Sequence, residues 1–183
     1  MAVLDIVTFP EPSLRLKAKP VTKFDKEFQD LVNDMFETMR AAPGVGLAAP
    51  QIGQSIRLVV VEYSEDEDEN AKPKTYVLVN PEIVKHSEET VTDIEGCLSV
   101  PGLVGEVERY EAVTVKALNR FGKPSEIKAE GWLARIFQHE MDHLDGVLYI
   151  DRAENVYQPS PEEMATLRGL RKGHNIQYCH TCS

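Results

Sequence analysis

His139 and His143 stand four residues apart in Gln138-His139-Glu140-Met141-Asp142-His143, with a glutamate directly after the first. On an α-helix that interval is about one turn, so both imidazoles leave the same face and can share one divalent cation, while Glu140 stands beside it as a base. The segment must then be helical, and the rest of the fold must deliver at least one more ligand to it. The chemistry indicated is metal-assisted hydrolysis. A pentapeptide with three fixed positions also arises by chance, and histidine and glutamate at helical spacing often only solvate a surface, so the other segments decide.

The chain has 183 residues, 42% of them apolar, enough for a real core within one domain spanning residues 1–183. Its start, Met1-Ala2-Val3-Leu4-Asp5-Ile6, lacks a basic leader region, and no segment nears the ~20 apolar residues of a bilayer span. A soluble, cytoplasmic protein with no membrane partner is expected. The cysteines are Cys97, Cys179 and Cys182, an odd and widely spaced set that argues against a disulfide framework and fits a reducing compartment. A thiolate is then free to bind metal. The net charge of −10 speaks against broad phosphate-backbone binding and a specific DNA partner. The local basic patch Arg168, Arg171 and Lys172 reads as a solvated helix end.

Phe28, Leu31, Val32, Met35, Phe36 and Met39 repeat at three and four, which predicts an amphipathic helix with Asp25 as its cap and Pro43-Gly44 as its stop. Arg57 to Tyr63 and Thr75 to Val79 read as a hairpin whose loop is the acidic run from Ser64 to Asn70. Further strands are expected at Ile83 to Lys85, Val104 to Val107, Ala112 to Asn119 and Ser125 to Glu130, with Asn119 to Lys123 as a turn. A helical pattern returns from Trp132 to about Leu144, and Glu162 to Lys172 reads as a short final helix. The fold class is α+β: antiparallel strands packed around a central helix carrying H-E-x-x-H, with the tail from about residue 150 least constrained.

Three segments compete to supply the third ligand. Glu162 and Glu163 lie downstream, as the carboxylate of a His₂Glu zinc site does. The tail gathers His174, Cys179, His180 and Cys182, with metal-ligand spacing in Cys179-x-x-Cys182 but at a chain end. Cys97 sits in Glu95-Gly96-Cys97-Leu98-Ser99-Val100-Pro101-Gly102, where glycines and a proline mark an unusual backbone, although an inert buried thiol is the common fate of such a cysteine. Pro43 to Gly53 is a further segment of small residues and glycines that lets backbone approach something closely. It has neither the ending of a phosphate loop nor the context of a dinucleotide fingerprint. Its Gln51 carries a neutral amide able to donate to a developing oxyanion.

Gly44-Val45-Gly46-Leu47-Ala48-Ala49-Pro50-Gln51, Glu95-Gly96-Cys97-Leu98-Ser99 and Gln138-His139-Glu140-Met141-Asp142-His143-Leu144-Asp145-Gly146 together resemble, in order and separation, the three signature motifs of the peptide deformylase family. The resemblance extends from about Leu4 to Tyr149. It implies hydrolysis of the N-formyl group from the initiator methionine of new bacterial-type polypeptides, with release of formate. It also implies Cys97, His139 and His143 as metal ligands, with a fourth position left for the attacking water, and Glu140 as base and then acid. Gln51 and the backbone N–H of Leu98 would steady the oxyanion. Val45, Ile136 and the face of His139 would line an apolar slot for the methionine side chain, and Val45, Gly46 and Gly96 would present substrate-binding backbone to an added strand. Trp132 and Arg135 stand where some relatives carry aliphatic residues, and Asp142 reads as orienting a ligand histidine, as pairing with a nearby cation, or as a surface carboxylate.

Ligand chemistry alone favours zinc, whereas the resemblance implies Fe²⁺, with Ni²⁺ or Co²⁺ in its place and Zn²⁺ a poorer substitute. The implied partners are N-formylmethionyl peptides and, by the family's setting, the ribosome near its exit tunnel, for which the final helix carries no motif. Two rival readings remain at this level: a metalloprotease with a downstream third ligand, and a non-catalytic metal-stabilised module closed by four protein ligands.

Overall fold

The computed structural model describes residues 2–64 and 72–169. The acidic run from Glu65 to Asn70 and the tail residues Arg171, Lys172, His174, Cys179, His180 and Cys182 lie outside the described residues.

Helix α1, Lys26–Ala41, begins where Asp25 accepts a hydrogen bond from the Phe28 N–H at 3.1 Å, the cap expected from the sequence. It buries Phe28, Val32, Met35, Phe36 and Met39. Among the described residues eight strands follow: β1 Gly46–Ala48, β2 Leu58–Tyr63, β3 Lys74–His86, β4 Thr90–Cys97, β5 Val100–Tyr110, β6 Ala112–Leu118, β7 Pro124–Glu130 and β8 Asn155–Tyr157. They pair antiparallel into a five-stranded sheet, β1-β2-β3-β6-β7, and a three-stranded sheet, β4-β5-β8. Strand β2 is apolar at successive positions because both its faces are covered. Leu58 and Val60 join the cluster under α1, while Val59 and Val61 face the helix α2, Gly131–Leu144.

The hairpin, the Asn119 turn and the α2 helix stand where the sequence placed them. Strand β3 runs unbroken through Ile83 to Lys85, because its irregular register absorbs Pro81 and the left-handed Asn80 (φ 50°). Strands β1, β4 and β8 and the single turn α3, Tyr149–Arg152, were not visible in the sequence. The final helix α4 is assigned over Pro161–Gly169. No described helix is long and apolar enough to cross a membrane.

Helix α2 is held at both ends. Gly131 (φ 57°) turns the chain out of β7, and at the other end the Ala18 N–H donates to the Leu144 carbonyl at 2.9 Å. Gly146 (φ 72°) presses against the Arg15 backbone so closely that a Cβ there would overlap the Arg15 carbonyl. The left-handed backbone alone costs a non-glycine residue about 1–2 kcal/mol. Gly146→Ala should therefore lose more than about 2 kcal/mol in urea unfolding, since clash adds to strain; unchanged stability would contradict this placement.

Candidate metal centre

Most of α2 is buried, polar residues included: Arg135, Gln138, His139, Glu140 and His143 all lie inside. A buried polar group without a partner costs about 1–3 kcal/mol, so each must be matched. Gln138 pairs with the Tyr110 backbone, accepting from its N–H at 3.0 Å and donating to its carbonyl at 2.9 Å. His139 uses Nδ1 on Glu95 Oε2 at 2.8 Å. With a carboxylate as acceptor, Nδ1 carries the proton and Nε2 is left as a bare lone pair. That Nε2 and His143 Nδ1 are buried with no hydrogen-bond partner among the described residues.

Cys97 comes to the histidines from the second sheet. It ends β4, and the two-residue turn Leu98-Ser99 returns the chain into β5, pairing Cys97 with Val100. Glu95 pairs with Gly105, so two steps on β4 face five on β5, and the excess bulges out around Gly102 (φ 78°). The glycine- and proline-marked backbone of this segment is that bulge. Cys97 Sγ lies 3.3 Å from His143 Nε2, and one ligand atom from each of Cys97, His139 and His143 falls within 4.8 Å of the others. Ligand atoms of a tetrahedral thiolate–imidazole site stand roughly 3.5 Å apart, given bonds of about 2.3 and 2.1 Å, so one cation fits these three donors. Of the three candidates, the downstream carboxylates stand elsewhere: Glu163 forms a reciprocal cap with Ser160 at the start of α4, and Glu162 is exposed.

Gln51 lies in a 3-10 turn, Ala49–Ile52, directly after β1, and is fully buried. Its Oε1 accepts from the Ala48 N–H at 2.8 Å, which turns Nε2 toward Cys97 Sγ (3.5 Å) and Ser99 Oγ (3.2 Å). Glu140 is buried beside them, and a Cβ on Gly46 would come within 2.6 Å of its Oε1. Only glycine at position 46 leaves room for this carboxylate. Val45 and Ile136 belong to one apolar cluster. The Val45 carbonyl is taken by the Glu62 N–H at 2.9 Å, so the next residue, Gly46, turns its main chain away from β2. Leu98 opens the turn after Cys97, and Gly96 lies buried in the bulge.

Glu95, Arg109, Arg135 and Arg152, given no role by the sequence, complete the site together with Asp142. Glu95 accepts from Arg109 through both oxygens (2.9 Å each), from Arg135 Nη1 at 2.8 Å and from His139. Asp142 points away from the histidines and pairs with Arg109 Nη1 (2.6 Å) and Arg152 (2.7 and 2.8 Å). Burial pushes the Glu95 carboxyl up, but its bonds to Arg109 and His139 more than offset this and hold it well below the usual carboxylate range. Burial likewise disfavours charge on His139, yet Cys97 and Glu95 raise it well above ordinary histidine, while burial and the neighbouring positive charges push His143 well down. With Nδ1 held on Glu95, the further proton that this environment favours would sit on Nε2, where a cation would displace it and leave the lone pair as donor, so metal binding weakens as the pH falls.

Because Glu95 ionises more easily folded than unfolded, its stabilisation is complete above the unfolded carboxylate pKa, about 4.3, and is lost as the pH drops toward the folded value. Glu95→Gln strands two buried guanidinium groups and should cost the metal-free protein about 3–5 kcal/mol at neutral pH. In urea unfolding the gap between the two proteins should narrow below about pH 4. A gap constant from pH 7 to pH 3 would show that Glu95 is not ionised in the fold.

Residues 3–158 match the family model for polypeptide deformylase. A curated peptide deformylase of Symbiobacterium thermophilum is 57% identical over 156 residues, which cover 85% of this chain and 69% of that protein. The crystal structure of a peptide deformylase from Legionella pneumophila shares 48% identity and a TM-score of 0.76, covering 92% of each chain. A Met-Ala-Ser-bound peptide deformylase of Acinetobacter baumannii shares 39% identity and a TM-score of 0.77, over 82% of this chain and 98% of that one. The α+β architecture, the buried cluster of Cys97, His139 and His143 and these likenesses agree: the chain belongs to the polypeptide deformylase family, enzymes that remove N-formyl groups.

Proposed function

We propose that Cys97, His139 and His143 hold the catalytic metal of this deformylase and that Glu140 moves the proton in cleavage of the formyl group from N-terminal formylmethionine. The observation that carries this is the place of Glu140, buried between two ligand histidines and seated on a glycine that no side chain can replace without displacing it. When bound, the divalent ion supplies Lewis acidity and makes water in its open position easier to deprotonate. Glu140 accepts a proton from the water as it attacks the formyl carbon, then returns it to the departing amine. The Gln51 amide and the Leu98 N–H steady the oxygen that becomes negative; losing one such donor typically costs about a hundredfold or more. Val45 and Ile136 receive the methionine side chain, and the backbone of Gly46 and Gly96 aligns the peptide as a strand along β1. The Met-Ala-Ser seen on the Acinetobacter enzyme is the product such a reaction leaves, which supports the assignment.

The working ion in this reading is Fe²⁺, with Ni²⁺ or Co²⁺ able to replace it. Two imidazoles and one thiolate would also satisfy zinc, so the choice of Fe²⁺ rests on the family resemblance and not on the ligand set. The substrates are newly made formylated polypeptides of the cytoplasm.

Formate release from formyl-Met-Ala-Ser tests the activity, with internal cleavage of a denatured protein as the protease alternative. Glu140→Gln should keep its metal and lose about two orders of magnitude or more in turnover; a metal-loaded variant with near-normal activity would remove Glu140 from the mechanism. Gly46→Ala should also retain metal while kcat falls at least about tenfold, because the carboxylate is pushed from its seat. Apo-protein reconstituted anaerobically with each ion should be most active with Fe²⁺, and a zinc form that matched it and tolerated air would refute the iron assignment.

A further inference from the structure

Arg135 is a buried cation that the proposed chemistry does not use. It lies on α2 one turn before His139, with its side chain 6% exposed. Its guanidinium is spent on the second sheet. Nη2 donates to the Val91 carbonyl of β4 at 2.6 Å, and Nη1 donates to the Val107 carbonyl of β5 at 2.9 Å and to Glu95 Oε1 at 2.8 Å.

Those bonds join the two parts of the molecule that share the metal ligands. His139 and His143 ride on α2, whereas Cys97 ends β4, so the distance between thiolate and imidazoles is set by how the helix seats on that strand. Arg109 cannot fix this seating through Glu95, because both residues belong to the β4–β5 ladder and their bidentate pair ties the sheet to itself. The Glu95–His139 bond does cross from sheet to helix, but through a side chain that is itself a ligand. Arg109–Asp142 and Gln138–Tyr110 also join α2 to the sheet, but at β5. Among the described bonds, Arg135 supplies the crossing to β4, the strand that carries Cys97, without passing through a proposed ligand, and a rigid planar fork suits the task better than any other cation.

We propose that Arg135 is a positioning residue for the metal centre: it seats α2 on β4 so that the Cys97 thiolate and the His139 and His143 imidazoles meet at one ion, and it holds Glu95 where Oε2 faces His139 Nδ1. This rests on the assignment of those three ligands above. Outer partners of this kind typically change metal affinity by about 10- to 100-fold when removed.

The probe is Co²⁺ added to the apo-protein, read by its d–d bands, its thiolate-to-cobalt charge-transfer band and its dissociation constant. The wild type should show a four-coordinate spectrum with one thiolate band; without that band the ligand assignment fails, and the role of Arg135 with it. Arg135→Met, with folding checked by circular dichroism and cooperative melting, should bind Co²⁺ about 10- to 100-fold more weakly with a shifted or diminished thiolate band, while KM for formyl-Met-Ala-Ser stays unchanged and kcat falls. Arg57→Ala, which removes another arginine bound at the end of α2, should leave affinity and spectrum as in the wild type. An Arg135→Met protein with wild-type affinity and spectrum overturns the proposal. Should that variant not fold, Arg135→Lys decides in its place. Lysine keeps the charge but not the fork across two strands, so a displaced thiolate band supports the proposal and an unchanged one overturns it.

Discussion

The structure depends on compensating buried charge around one carboxylate. A helix with only apolar residues sinks into a core without electrostatic penalty, but α2 carries an arginine, a glutamine, two histidines and a glutamate into the interior. An unpaired ion there would cost several kcal/mol. Glu95 makes the burial possible, because its two oxygens accept from Arg109, Arg135 and His139 together. The His139 bond also fixes Nδ1 on the carboxylate and leaves Nε2 to face Cys97 and His143, so the stabilisation of the fold and the orientation of the proposed metal ligand are one arrangement. Asp142 extends it outward by sharing Arg109 and taking Arg152.

Around this centre the two sheets have separate duties. The five-stranded sheet packs α2 on one face and α1 on the other, and its edge strand β1 carries Gly46 to the Glu140 carboxylate and leads into the turn that holds Gln51. The three-stranded sheet contributes Cys97 at a hairpin tip where the ladder breaks register. Each sheet thus brings an irregular, glycine-bearing piece of backbone to the same helix face. Irregular backbone gathers where regular pairing would keep side chains too far apart.

Much of this was legible in the sequence because it follows from period or local chemistry. The i, i+4 histidines, the Asp25 cap, the apolar stripe of α1 and the double-sided run of β2 are short-range signals. The third ligand was open on residue chemistry alone and became specific only when three motifs were taken together. Strand β4 escaped because Thr90 to Cys97 is rich in threonine and acids, with few apolar residues to mark alternation. The roles of Glu95, Arg109 and Arg135 were invisible because charges read as surface by default. Two signals were nonetheless present. Arg109 follows Val107 at the period-two spacing of an inward face, and Arg135 sits four residues before His139, on the ligand face of the helix. A charge at a position that periodicity assigns to the core requires a buried partner, and Glu95 was the acid already inside a motif. Glu163, weighed as a ligand on its spacing and set aside, is a helix cap.

The central claim is that one ion is shared by a strand thiolate and two helix imidazoles, with a position left open for the reaction. X-ray absorption at the zinc edge of the zinc-loaded protein measures this without reference to turnover, since zinc accepts the same ligands whichever ion works best. The account predicts one sulfur at about 2.3 Å, two imidazole nitrogens at about 2.0–2.1 Å and one further light atom from solvent. A shell lacking sulfur, holding two sulfurs, or closed by four protein ligands would contradict it.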